Sequence, residues 1–172
     1  EALIDTLTGL LNRRGCDKRL QELSLNNIHS SLVIDIDHFK NVNDSFGHSV
    51  GDKVIQLVAK TIKDHVSDDD ISVRYGGEEF VVILSNKSQS IAHKIAEKIR
   101  SAISTLKLVQ RKSNTQLPSI TVSIGIAELQ KNMSWPTLFN NADQALYQAK
   151  NSGRNCCVLS NFNTEIQFKV TE

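Results

Sequence analysis

Ile71-Ser72-Val73-Arg74-Tyr75-Gly76-Gly77-Glu78-Glu79-Phe80-Val81-Val82-Ile83-Leu84 carries two strand patterns joined by a turn signal. Residues 71–75 alternate apolar with polar side chains and read as a strand. Residues 80–84 are apolar and β-rich and read as the return strand. Gly76-Gly77 between them is a hairpin signal. A second apolar run, Ser31-Leu32-Val33-Ile34-Asp35-Ile36-Asp37, reads as a short buried strand whose tip carries carboxylates. If that strand neighbours the hairpin, Asp35, Asp37, Glu78 and Glu79 gather at one end of a sheet.

Working outward, helix-spaced apolar residues predict helices over 10–25, 51–66, 88–106 and 134–150. Ser88 is placed to cap the third, and Pro136 falls in the first turn of the fourth. Residues 120–127 and 156–159 read as two further strands. Residues 39–49 are polar and rich in turn formers, which predicts a loop, and 109–118 reads as a polar, exposed loop. Asp68-Asp69-Asp70 reads as a solvated loop. Helices between strands, with one hairpin, predict an α/β (α+β) domain: a mixed five-stranded sheet flanked by helices, over residues 1–160. Residues 161–172 are expected to form a tail or an extra strand.

Composition narrows the function. The formal net charge of +1 gives no strong field for nucleic acid or for an acidic membrane, so any phosphate binding must be local. No apolar run approaches the ~18 residues of a membrane span. The start at Glu1, without Met, reads as a piece of a longer chain. Cys16, Cys156 and Cys157 match no zinc spacing and read as reduced thiols of a cytoplasmic domain.

Four clustered carboxylates need compensation, because like charges 4 Å apart repel by about 4 kcal/mol at an effective dielectric near 20. Mg²⁺, which takes carboxylate oxygens and substrate phosphates, would supply it, and two such ions would clamp a phosphoryl displacement. The alternative is that the acids point into solvent from opposite sides of two pleats. Lys40, Lys150 and Arg154 are the cationic complement. Lys150 and Arg154, four apart, would reach a triphosphate from one helical face, or would simply complement a helix C-terminus. Asn43 and Asp52 suit a guanine edge, with Asp52 alternatively capping a helix that begins near Lys53. Gly76 and Gly77 leave room for backbone to approach a ligand.

Together these segments resemble the GGDEF family of diguanylate cyclases. Residues 5–15 (DTLTGLLNRRG) resemble its opening motif, 35–44 (DIDHFKNVND) its metal and substrate loop, and 47–52 (GHSVGD) the segment that follows. Residues 74–80 (RYGGEEF) resemble the signature in its Glu-Glu variant, and 142–150 with 153–155 the closing motif. The resemblance implies a fold related to nucleotidyl cyclase and polymerase palm cores. It implies condensation of two GTP into cyclic di-GMP across a two-fold homodimer, downstream of a regulatory domain that can itself be membrane-anchored. Asp35, Ile36 (by its carbonyl) and Glu78 would hold Mg²⁺ or Mn²⁺, with Glu79 joining a second ion. Glu78 is the candidate base, and Lys40 would stabilise transition-state charge. Lys150 and Arg154 would hold the β- and γ-phosphates, Asn43 and Asp52 guanine, and His48 would lie beside the substrate. Asp52 favours GTP, because members making mixed dinucleotides depart there.

One position departs from the family pattern. Product inhibition needs Arg-x-x-Asp before the signature, and here Ser67 stands where the arginine belongs, with Asp70 retained. Weak or absent feedback is the expectation, since serine lacks the planar guanidinium fork. The competing readings are an inactive GGDEF domain that senses GTP or cyclic di-GMP, and a cyclase making cyclic mononucleotides. The retained Asp35, Glu78 and Glu79 argue against the first, and Asn43 with Asp52 against use of ATP.

Overall fold

A computed structural model describes residues 2–161. The elements run α1 (Arg13–Leu20), β1 (His29–Ile36), α2 (Phe39–Phe46), α3 (His48–Asp64), β2 (Ile71–Arg74), β3 (Glu79–Ser85), α4 (Gln89–Ser104), β4 (Val109–Gln110), β5 (Thr115–Gln116), β6 (Val122–Glu128), α5 (Trp135–Asn151) and β7 (Cys157–Leu159). Five strands form one sheet in the order β2-β3-β1-β6-β7, antiparallel except for the β6–β7 pair. The expected mixed five-stranded α/β architecture is what is found. Residues 162–172 lie outside the described residues, and with them most of the expected tail.

Alternation along the strands divides the core. Leu32, Ile34 and Ile36 of β1, with Phe80, Val82 and Leu84 of β3, pack on α3 and α4. Val33, Val81 and Ile83 pack on α1 and α5. β1 is buried at every position because it is the central strand of a sheet covered on both faces. Gly125 of β6 sits directly beneath α5. A Cβ there would lie 2.0 Å from the Ala142 carbonyl oxygen and 2.3 Å from the Leu146 nitrogen, so the helix can seat this closely only over glycine.

Four local expectations are corrected. Residues 39–49 are not a loop: Phe39, Val42 and Phe46 follow a helical stripe that packs on the core, and the turn-forming Asn41, Asp44 and Ser45 face solvent. Gly47, at φ +90°, breaks α2 from α3, and α3 therefore starts at His48 instead of near Lys53. The first helix is only Arg13–Leu20, capped by the Asn12 side chain accepting from the Gly15 N–H. Residues 109–118 carry the small β4–β5 hairpin. Ser88 and Ser134 cap α4 and α5 by accepting from the N–H groups of Ile91 and Thr137.

Candidate active site

The antiparallel register sets Asp35, near the end of β1, opposite Glu79, the first residue of β3. The Ile36 N–H donates to the Glu78 carbonyl at 3.3 Å, which holds the hairpin turn against the strand end. A cavity of about 200 Å³ opens there, bringing together Asp35, Ile36, Lys40, Glu78, Lys150 and Arg154. Lys150 donates to Asp35 Oδ2. The other oxygen, Oδ1, is buried without a hydrogen-bond partner. Burial, reinforced by the charge of Asp35, pushes the Glu78 carboxyl above its ordinary range, with Lys150 opposing.

This donor set fits a divalent cation. Two carboxylates converge, one with an orphaned oxygen, and each makes the other's charge costly. Among the described residues no three acidic, histidine or cysteine side chains are assembled as ligands.

Asp37 also lines this cavity, but both of its oxygens are already engaged. Its Oδ1 accepts from the Ser123 hydroxyl, and its Oδ2 from the Thr121 hydroxyl, both at 2.7 Å. Its Oδ2 also accepts the Asn155 N–H at 3.0 Å. Asp37 thus fixes the turn that carries Arg154. Nor do Lys150 and Arg154 share a helical face: α5 ends at Asn151, and Arg154 follows at φ +65°. They reach the same cavity because the chain turns back.

A second cavity, about 480 Å³, continues from the first through Phe39, Lys40 and Glu78, and is lined further by Asn43, His48, Asp52 and Arg74. Asp52 lies inside α3 and caps nothing, so its exposed carboxylate is available to a ligand. Asn43, on α2, is seated over Gly51, where a Cβ would lie 1.9 Å from Asn43 Oδ1. Gly51 therefore decides where this amide can sit. His38, at the mouth of the first cavity, holds φ +54°, a costly conformation for a residue with a side chain.

The hairpin connection is four residues, 75–78, and neither Gly76 nor Gly77 adopts positive φ. A Cβ on Gly77 would meet nothing within 4 Å, and one on Gly76 only Glu79 Cβ at 3.6 Å. Neither strain nor packing demands these glycines, and the space beside them is open. Arg74, overlooked as a site residue, holds the turn: its Nη2 donates to the Gly77 carbonyl at 2.8 Å and its Nη1 to Asp5 Oδ1 at 3.2 Å. Its position at the strand end before the acidic turn was the available signal.

Two acids lie elsewhere. Glu79 lines a separate cavity, beside Asp17 and Asp143, on the sheet face it shares with its cross-strand partner Asp35. Asp70 is buried, against the solvated loop expected of the triple aspartate, and is bonded to Ser67, Ser85 and Lys87. Asp68 and Asp69 are exposed. Among the described residues no helix is long and apolar enough to cross a membrane.

Residues 2–156 match the family described as "Diguanylate cyclase, GGDEF domain". The chain is 42% identical over 160 residues to diguanylate cyclase VdcA of Vibrio cholerae, covering 90% of this chain and 46% of that one. It is 40% identical over 156 residues to diguanylate cyclase DgcM of Escherichia coli, covering 88% and 37%. The GGDEF domain of DgcB from Caulobacter crescentus, solved in complex with c-di-GMP, superposes with a TM-score of 0.88 at 37% identity, covering 94% of each chain. The chain thus spans less than half the length of these curated relatives. Diguanylate cyclases of this kind are generally metal-dependent, use GTP and form dimers. A match over residues 2–156, with identity at this level along the same span, means that the chain belongs to the GGDEF family of diguanylate cyclase domains.

Proposed function

We propose that this chain condenses two GTP molecules into cyclic di-GMP and two pyrophosphates, each domain holding one GTP and two domains facing each other about a two-fold axis. The observation that carries this reading is the pair of joined cavities. One gathers Asp35, Glu78, Lys150 and Arg154, the other Asn43, Asp52 and Arg74, with Lys40 and Glu78 common to both.

Asn43 and Asp52 present an amide and an acceptor carboxylate to the guanine edge. Lys150 and Arg154 hold the β- and γ-phosphates, and Lys40 stabilises charge as it builds on the α-phosphate. Asp35, Glu78 and the Ile36 carbonyl would hold Mg²⁺ or Mn²⁺, Glu79 would reach a second ion, and the metal would supply neutralisation of phosphate charge. The Glu78 carboxylate takes the proton of the ribose 3′-hydroxyl. Each 3′-oxygen forms a bond to the other nucleotide's α-phosphorus as the α–β anhydride bond breaks and pyrophosphate leaves. Aligning two bound nucleotides supplies most of the rate, so activity rises more steeply than linearly with protein concentration. In the full protein an upstream regulatory domain, joined ahead of Asp5 in the cytoplasm, would set how often two domains meet.

The test incubates concentrated protein with GTP and Mg²⁺ and identifies the product by mass spectrometry, alongside Glu78→Gln. Cyclic di-GMP from the parent chain and none from the variant is expected. Nucleotide bound without turnover would instead assign the domain a sensing role.

A further inference from the structure

α1, the β2–β3 hairpin and α5 enclose a cavity of about 670 Å³ on the sheet face opposite the guanine cavity. Tyr75, Phe139 and Trp135 form a continuous aromatic wall, with ring centroids 6.4 Å and 6.5 Å apart along the row. Asp17, Glu79 and Asp143 line the same space, from α1, β3 and α5. Among the described residues none of these three side chains makes a hydrogen bond or an ion pair.

Carboxylates repel one another at such a site unless a cation comes between them, and the walls decide which cation. A bare metal ion has no use for three aromatic rings, and these acids are not assembled as metal ligands. A cation with a planar or aliphatic body gains from both, through contact with ring faces and through the flanking charges. The chain itself shows one such contact: the Arg13 guanidinium, from the neighbouring cavity that Tyr75 also lines, lies 4.1 Å from the Tyr75 ring centroid. A volume of several hundred Å³ is that of a small-molecule site.

We infer that this cavity binds a small organic dication, an amine or guanidinium with two charged ends on a short aliphatic spacer, one end toward Asp143 and Glu79 and the other toward Asp17. Glu79 follows Glu78 and faces Asp35 across the strands, so an occupant lies one residue from the carboxylates of the active site. That consequence rests on the cyclase reading; the binding itself does not.

Trp135 is the only tryptophan in the chain and lines the cavity, so its fluorescence reports occupancy directly. The 172-residue chain is titrated with agmatine and with 1,4-diaminobutane at constant ionic strength, beside 1,4-butanediol and Mg²⁺. Saturable emission changes are expected with the two cations only, with midpoints raised about fivefold or more in Asp143→Asn and in Asp17→Asn. The two variants lie on different helices, so poor folding of one leaves the other to decide. A linear response, an equal response to the diol, a saturating response to Mg²⁺ that the amines cannot displace, or parental midpoints in the folded variants would overturn the inference.

Discussion

Asp70 Oδ2 accepts from Ser67 twice, from its N–H at 2.9 Å and its hydroxyl at 3.0 Å. The other oxygen accepts from the Ser85 N–H and from Lys87 Nζ, both at 2.9 Å, and the carboxylate has no exposed surface. In this chain Asp70 closes a turn and ties it to the end of β3. Not only is the arginine of the product-inhibition pattern absent; the surviving aspartate is turned inward. Cyclic di-GMP at saturating concentration should change GTP turnover less than twofold, and Ser67→Arg alone should not restore inhibition. Asp70→Ala should cost about 2–4 kcal/mol in urea denaturation, because it strands a charge and three further donors. Tight product binding at this turn would contradict the whole assignment.

Gly51 makes a second point testable without touching a group that meets substrate. In Gly51→Ala the new Cβ displaces the Asn43 amide, which must swing away from the guanine cavity. A site left with an unmatched base edge loses about 1–3 kcal/mol of binding. The KM for GTP should therefore rise about tenfold with a smaller change in kcat, matching Asn43→Ala, while far-ultraviolet circular dichroism stays that of the parent. An unchanged KM would mean that Asn43 does not read the base.

The strands and long helices were legible because burial there is periodic: residues 31–36 and 80–84 could only be inner strands, and 88–104 shows one apolar face. What escaped was set by partners distant in sequence. Asp37 reads as a free fourth acid of the cluster, whereas Thr121, just before β6, and Ser123, within it, engage its oxygens with their hydroxyls. Asp70 reads as solvated until Lys87 arrives from beyond β3. The short helix α2 was masked by composition, since its asparagines and aspartate outweighed a three-residue apolar stripe. Of the candidate site, Asp35, Glu78, Lys40, Lys150 and Arg154 do share one cavity, whereas Glu79, on the same sheet face as Asp35, lines the neighbouring one.

Asp5 and Arg74 give a prediction in pH. Burial raises the Asp5 carboxyl, but the Thr8 N–H and hydroxyl at 3.0 Å and 2.6 Å, with Arg74, outweigh it and bring it below the ordinary value. A carboxylate depressed on folding contributes stability that is complete above the unfolded value, about 3.9, and is lost as the pH falls through the folded value. Asp5→Asn should lower stability at pH 7 by about 1 kcal/mol, since the pair is partly solvated, and should lose less of its remaining stability than the parent between pH 5 and pH 3. Parallel pH profiles would remove Asp5 from the acid limb. Because Arg74 also holds the Gly77 carbonyl, the variant should lower kcat as well.

On the proposed reading, Lys150 and a divalent cation would compete for the Asp35 carboxylate, which separates their roles. Without metal, Lys150 is the only charged partner of Asp35 among the described residues, so Lys150→Ala should destabilise the chain in EDTA by about 1–3 kcal/mol. Mg²⁺ should then recover more in the variant than in the parent, because nothing has to be displaced from Asp35. A ligand at 100 times its dissociation constant stabilises by about 2.7 kcal/mol, and each kcal/mol moves the melting temperature of a domain this size by about 2–4 °C. Asp35→Asn should abolish the Mg²⁺ shift altogether. Turnover moves the other way: Lys150→Ala should bind metal more readily and yet lose most of its activity, since the triphosphate has lost one of its two cationic holds. If Mg²⁺ raised the melting temperature of Asp35→Asn as much as that of the parent, the metal would be binding elsewhere, and the orphaned oxygen of Asp35 would need another explanation.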